Sequence, residues 1–282
     1  MNTFGKKLMT WARLGALAVT FAMPVAALAS DNSIYIQQSG DNATVTMTQD
    51  GVGNVVRGIQ GSGTGNTTPA TIIGNSNQVT VNQVGIGNTL NLGLNTTVSE
   101  GISSGNRFSY AITGNNSTAT IDSNANGQNQ SSSNGISVTQ TGNSSGANVN
   151  VLGAVNSVTA TTTGGNNNTV VSTVNGNSNI QTINVTGGGN NDVTVNQGVG
   201  GSAASSPAMI ATNSNGTATL TVTGASNTAT VVQTGSANTT VLALDGSSNI
   251  ANITQAATSG NTTVNVASTG NGNRFTITSN AH

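Results

Sequence analysis

Residues 224–246 read GASNTATVVQTGSANTTVLALDG. Gly stands at 224, 235 and 246, so the stretch holds two units of eleven residues. Each unit is a Gly, two variable residues, an Asn and a segment in which apolar and small polar side chains alternate. Eleven residues accommodate a strand of about five residues, at about 3.3 Å per residue, and a tight turn. The turn needs positive φ, which Gly adopts without steric cost and Asn tolerates. Two units make a strand–turn–strand coil of about 22 residues. One such coil cannot bury its apolar face, whereas many stacked coils can.

The same unit recurs on both sides of this stretch. Its clearest copies are Gln49-Asp50-Gly51-Val52-Gly53-Asn54, Gln83-Val84-Gly85-Ile86-Gly87-Asn88 and Gln233-Thr234-Gly235-Ser236-Ala237-Asn238. Looser copies begin at Gly40, Gly63, Gly74, Gly114, Gly142, Gly153, Gly165, Gly176, Gly188, Gly270 and others, many of them eleven residues from a neighbour. A fixed period along a chain decides its architecture before any single motif does. The expected fold is all-β: a parallel β-solenoid of coils about 4.8 Å apart, each strand paired with its equivalents above and below.

Alternation assigns the faces. In Val79-Thr80-Val81 and Val193-Thr194-Val195 the Val pair points into a thin core and Thr points outward. Amides at matched positions are candidates for ladders running up the stack: Gln38 before Gly40, Gln49 before Gly51, Gln83 before Gly85, Gln140 before Gly142 and Gln233 before Gly235, with Asn54, Asn88 and Asn238 closing the turns. For Asn, a plain turn cap is the alternative to a ladder. Stretches near 90–103, 121–139 and 197–212 break the period and read as loops or weak coils within one repeat region, 30–282. Pro69 and Pro207 cannot donate to a sheet ladder and belong at turns or insertions.

The first residues differ in kind. Lys6, Lys7 and Arg13 precede an apolar run from Leu14 to Ala22, and Ala27-Leu28-Ala29 offers a small-residue cleavage site, so residues 1–29 read as a secretory signal peptide. The apolar run is shorter than the roughly 20 residues of a membrane span, and no membrane insertion is expected. Beyond Ala29 the charges are Arg57, Arg107 and Arg274 against seven Asp and Glu, a net charge of −4. Such a surface has no electrostatic attraction for nucleic acid. Cysteine is absent, so rigidity must come from backbone pairing and side-chain stacking, not disulfides. Low charge with abundant Gly, Asn, Ser and Thr also describes a disordered linker, but linkers lack these alternating β-branched segments.

Gln-x-Gly-x-x-Asn between alternating strands, twice per coil, behind a leader in a cysteine-free chain, resembles the curlin family of curli fibre subunits. The stretch from Ser33 to Val45, followed by Gln49 through Asn54, carries the resemblance most closely. It implies secretion of an unfolded chain through an outer-membrane pore, and fibre growth from a nucleator subunit into a cross-β extracellular fimbrium that serves adhesion and biofilm matrix. The departures are a chain with room for about eleven coils where curlins usually carry about five, Thr or Val at many of the family's Gln positions, and few Tyr.

Chemistry beyond structure has little to work with. His282 is the sole His, the seven carboxylates form no paired motif, and no enzyme, cofactor or metal site is expected. Gly187-Gly188-Gly189-Asn190-Asn191-Asp192 is similar to a calcium-binding turn but occurs once and carries Asn where a Gly is wanted. The competing reading is a monomeric adhesin or an ice- or crystal-surface binder, because Thr-x-Thr occurs at Thr44/Thr46, Thr159/Thr161, Thr219/Thr221, Thr228/Thr230 and Thr276/Thr278. Their sequence spacing does not bring these pairs to one phase in successive coils. The first and last repeats lie close to the ends of the expected mature chain, which favours end-to-end assembly through open sheet edges.

Overall fold

The structure is a computed structural model that describes residues 18–21, 31–59, 68–94, 105–123, 133–197, 213–214, 216–235, 237–257 and 261–281. Lys6, Lys7, Arg13 and the cleavage site at Ala27–Ala29 lie outside the described residues, as do Gly63, Pro207 and His282.

The described chain is all-β and forms a parallel β-solenoid of two sheets, in which every strand pair is parallel. The front sheet has ten strands in sequence order: Ala18–Phe21, Thr44–Val52, Gln78–Ile86, Arg107–Thr113, Gly135–Thr141, Ser157–Thr163, Ile180–Thr186, Thr217–Thr223, Thr239–Asp245 and Thr263–Thr269. The back sheet, thirteen-stranded, runs from Ser33–Ile34 through Thr89–Leu94, Gly146–Leu152 and Thr228–Gly235 to Arg274–Ala281. Apart from the split back strands, Ser33–Ile34 with Ile36–Ser39 and Val55–Arg57 with Ala70–Ile73, and the short strand Asn213–Ser214, the chain passes alternately from one sheet to the other. Each strand therefore pairs with strands one coil away and not with its sequence neighbour, because parallel pairing needs a crossover between partners.

The core is the thin layer between the sheets. Val45, Val79, Phe108, Val158, Ile183 and Leu220 point in from the front, and Leu90, Ile121, Val149, Val170, Val195 and Val231 from the back, all but inaccessible to water. Val79 and Val81 are buried and Thr80 is exposed, as alternation dictates. Each fully buried Val, Leu or Ile side chain is worth about 1.5–3 kcal/mol relative to exposure. The inner layers thin out at the ends of the stack, where Ile34, Ile36, Phe275 and Ile277 are only partly buried.

Coils are not uniform in length. Equivalent turn residues are 22 residues apart at Asn227 and Asn249, 23 at Asn168 and Asn191, 34 at Asn54 and Asn88, and 36 at Asn191 and Asn227. Most of the additional residues enter on one side. They lie between Leu94 and Gly105, Ser123 and Ser133, and Gln197 and Asn213, each time after a back strand and before the next front strand. One insertion opens inside a back strand. Val55–Arg57 and Ala70–Ile73 flank it, pair in register with one neighbouring rung at Ser33–Ile34 and Ile36–Ser39, and pair with Thr89–Leu94 on the other side. Pro69 sits at the return of this excursion, immediately before Ala70. The stretches expected to break the period are narrower than their sequence limits: Thr89–Leu94, Thr118–Ser123 and Gly135–Thr141 are strands in register with their neighbours, and most of the remaining residues lie outside the described residues.

Candidate functional site: ladders along the two edges

What the stack repeats most faithfully is the turn from front to back sheet. It opens on Gly51, Gly85, Gly114, Gly142, Gly165, Gly224, Gly246 or Gly270, every one at positive φ. Two of them show why. A Cβ on Gly85, whose φ is +123°, would collide with the backbone carbonyl of Gly114 in the next coil, and one on Gly224 with that of Gly246. A second left-handed residue follows two positions on, filled by Gly87, Asn116, Ser144, Asn167, Ser226 or Ser248. The next residue is an amide or hydroxyl that faces inward and is fully buried at Asn54, Asn88, Ser117, Asn168, Asn227 and Asn249.

These Asn side chains bridge coils. The Asn54 Oδ1 accepts the backbone N–H of Asn88 at 3.1 Å, and the Asn227 Oδ1 that of Asn249 at 3.0 Å. In the other direction the Asn54 Nδ2 donates to the Gly85 carbonyl at 2.9 Å and the Asn227 Nδ2 to the Gly246 carbonyl, also at 2.9 Å. Ladder and turn cap are thus one arrangement, since each amide holds its own turn to the turn of the next coil. Most of its partners are backbone groups of the neighbouring coil, and one amide-to-amide bond joins coils directly, the Asn191 Nδ2 donating to the Asn168 Oδ1 at 3.0 Å.

A second Asn ladder runs up the opposite edge, at the entry to each front strand. The Asn77 Oδ1 accepts the N–H of Asn106, the Asn134 Oδ1 that of Asn156, and the Asn156 Oδ1 that of Asn179, the last at 3.0 Å. Asn238 stands in this row. Its Oδ1 accepts the Thr262 hydroxyl at 2.6 Å and its Nδ2 donates to the Thr234 carbonyl at 2.7 Å.

The glutamines divide between the sheets. In the front sheet the Gln49 Nε2 donates to the Gln83 Oε1 at 2.7 Å, and the column continues through Ile112 to Gln140. Gln140 stands without a Gln neighbour: its Oε1 accepts the Tyr110 hydroxyl at 3.2 Å, while its Nε2 is buried with no partner. In the back sheet the Gln197 Nε2 donates to the Gln233 Oε1 at 2.7 Å, and the Gln233 Nε2 to the Gln255 Oε1 at 2.9 Å. The Gln233 and Gln255 amides also reach the Thr217 and Thr239 carbonyls of the facing sheet at 3.0 Å, closing the side of the core. Gln38 lies in the same column, but with Ile72 above it, and donates to the Gly40 carbonyl of its own turn at 2.7 Å. Gly40 and Gly235 belong to back-to-front turns, where a Cβ on Gly40 would meet the Gly74 carbonyl. Gly51, Gly85 and Gly142 belong to the front-to-back row.

Sequence spacing thus brings Gln49 to Gln83, Gly51 to Gly85 and Asn54 to Asn88, and leaves Gln38, Gln140 and Asn238 away from those ladders. It misses Gln197 and Gln255, the two neighbours of Gln233, because neither is followed by Gly-x-x-Asn. It also misses the Asn row from Asn77 to Asn179, although an Asn immediately before each front strand was a readable signal. Ser172 and Gln181 form a further buried pair across the core, the hydroxyl donating to the Gln181 Oε1 at 2.5 Å.

Titratable groups are few. Burial pushes the Tyr110 phenol well above its ordinary range and the Asp122 carboxyl up to about 6. Among the described residues no group of three or more His, Cys, Asp or Glu could hold a metal ion.

No curated protein and no solved structure matches the chain. A family model does match, that of the curlin associated repeat, over residues 224–256. These residues span the shortest coils, with Asn227, Asn238, Asn249 and the Gln233–Gln255 pair in place. The chain carries a curlin-type repeat.

Proposed function

We propose that the chain is a structural subunit of a curli-like extracellular amyloid fibre that supports adhesion and biofilm matrix, and that it performs no catalysis. The observation that carries this reading is in-register parallel stacking with exposed strand edges at both ends of the described stack. Arg274–Ala281 pairs with Ile250–Ala257 on one side and has no partner on the other among the described residues. Its Phe275 and Ile277, and Ile34 and Ile36 at the opposite end, are half-buried for want of a further coil. Such edges template pairing with another copy.

Around that core reading stand expectations carried by the curlin resemblance. Residues 1–29 act as a signal peptide cleaved after Ala29, the unfolded chain leaves through an outer-membrane secretion pore, and a nucleator subunit starts the fibre. Asp31, Asp41, Asp50 and Arg274 act as gatekeepers that slow association near the ends.

The test is incubation of the purified chain lacking residues 1–29 with thioflavin T, followed by fibre diffraction. Dye-binding fibres with reflections near 4.8 and 10 Å are expected. A protein that stays folded and monomeric overturns the fibre reading and leaves the monomeric surface binder.

A further inference from the structure

At one end of the stack the two sheets start differently. The back sheet starts on Ser33–Ile34 and Ile36–Ser39, which pair on one side only among the described residues and leave Ile34 and Ile36 half-buried. The front sheet starts one rung earlier. Ala18–Phe21 lies parallel on Thr44–Val52 and in register with it, from Ala18 beside Thr44 to Phe21 beside Met47. Val45 and Met47, inward residues of the strand it covers, are each 1% exposed, whereas Val264 and Val266 on the last front strand are 8% and 9% exposed. An additional strand therefore closes this end of the front sheet and leaves the back sheet open. Its residues suit the role, since Val, Thr and Phe are types that strands favour. They belong to the apolar run within residues 1–29, the segment read as a signal peptide.

The last described coil consists of Thr263–Thr269 in front and Arg274–Ala281 behind. A second copy joined end to end sets these two strands against Thr44–Val52 and the 33–39 strands, front on front and back on back. Both must seat at one level, because they belong to one coil. Ala18–Phe21 already fills the front place at that level, and its own outer edge offers four residues where Thr44–Val52 offers nine. No back strand lies level with it among the described residues.

We propose that Ala18–Phe21 is an intramolecular cap on the growth edge of the front sheet: while attached, it keeps Thr263–Thr269 of a second copy off Thr44–Val52, and loss of residues 1–29 opens the edge; this control of assembly rests on the fibre reading. The cap prevails through its attachment. Residues 22–32 tether it to Ser33, and a strand on so short a connection acts at an effective concentration of about millimolar, against which a second copy at about micromolar concentration competes poorly. Every joint consumes one such end, so a capped copy adds its free end to a fibre once and then stops growth there.

The experiment compares three proteins in seeded thioflavin T elongation: the full chain, the chain lacking residues 1–29, and the full chain with Val19→Pro/Thr20→Pro. Adjacent prolines cannot sit in a paired strand, and they leave the length of the segment unchanged. On seeds made from the shortened chain, the full chain should elongate at least about tenfold more slowly than the shortened chain, and the proline variant should recover most of the lost rate. Equal rates for the full and shortened chains overturn the proposal. A proline variant as slow as the full chain also overturns it, because the block then comes from the bulk of the segment and not from its pairing. If no fibres form, the fibre reading fails separately, and amide hydrogen exchange at Thr44–Met47 of the soluble chains decides. Protection present in the full chain and lost in the other two supports the cap, and equal protection in all three overturns it.

Discussion

Along one long edge of the solenoid the chain makes nearly the same turn in every coil; along the other it holds insertions that stretch some coils from 22 to 36 residues. The physical difference is where each turn is pinned. On the regular edge the departing residue is a Gly stacked directly on the Gly of the next coil, and the re-entering residue is held by an amide or hydroxyl, so both ends of the turn are fixed. On the variable edge only re-entry is fixed throughout, by the row from Asn77 to Asn179. Stacked glycines mark departure there only in short turns such as Gly40 on Gly74 and Gly153 on Gly176. Leu94, Ser123 and Gln197 leave the back sheet without one, and an insertion follows each of them, while a fourth interrupts a back strand between Arg57 and Ala70. Loop closure costs little per added residue, so length is tolerated wherever departure is free.

The sharpest way to break the contrast is to tax each edge in turn. Gly85→Ala puts a Cβ against the Gly114 carbonyl at a φ that L residues rarely adopt. Backbone strain and overpacking together should cost about 3 kcal/mol or more. Removal of residues 199–211 from the variable edge should cost less than about 1 kcal/mol. Urea unfolding of the monomeric chain measures both, and equal losses would end the distinction between the edges.

Next in size is a contrast between glutamines. Gln233 has both ends of its amide engaged: its Oε1 accepts from Gln197, and its Nε2, with two hydrogens, lies within hydrogen-bond distance of the Gln255 Oε1, the Thr217 carbonyl and the Thr240 hydroxyl. Gln233→Leu leaves buried partners unsatisfied and should cost about 2–3 kcal/mol in the same unfolding measurement. Gln140→Leu loses one bond from Tyr110 but removes an amide nitrogen that has no partner, and should be close to neutral. A large loss at Gln140 would show that the lone amide is satisfied after all.

A third effect depends on pH. Burial raises the Asp122 carboxyl to about 6 from an ordinary value near 3.8. Between about pH 4 and 6 the folded chain therefore keeps a proton that the unfolded chain has released, and stability falls as pH rises through that window, then levels off. The loss should be about 2 kcal/mol, and Asp122→Asn should remove it, leaving the variant more stable than the parent at pH 7. Unfolding curves at pH 4, 5, 6 and 7 test this; a parent that gains stability across the window would contradict the burial.

Eleven-residue spacing made the solenoid legible, because Gly and Asn recur for backbone reasons that act locally and repeat in every coil. Inward Val at 79, 81, 193 and 195 was legible for the same reason, since alternation is a property of one strand. Which glutamines touch was not. Gln233 meets Gln197 across 36 residues and Gln255 across 22, so the pairing depends on the length of the insertion between them, and no fixed period predicts it. Thr phase failed likewise: Thr159 and Thr219 share a column through Thr182, and the second of those two steps spans 37 residues, which no fixed period gives.

The smallest expected effect lies on the variable edge itself. Val155 occupies the left-handed position of a back-to-front turn, with φ at +60°, where equivalent turns use Asn42, Ser76, Ser133 or Ser178. It is 60% exposed, so its side chain gains little from packing, while a β-branched residue in that region is strained by about 1–2 kcal/mol. Asn tolerates the conformation, and Asn156 beside it already anchors the strand through the Asn179 N–H. Val155→Asn should therefore stabilise the chain by about 1 kcal/mol, read as a shift of the urea midpoint at constant slope. Were the variable edge slack throughout, the turn would relax around Val155 and the substitution would change nothing. A measured gain would show that even there the re-entry half of the turn is held to a fixed geometry by its Asn row, and that freedom is confined to the residues before it.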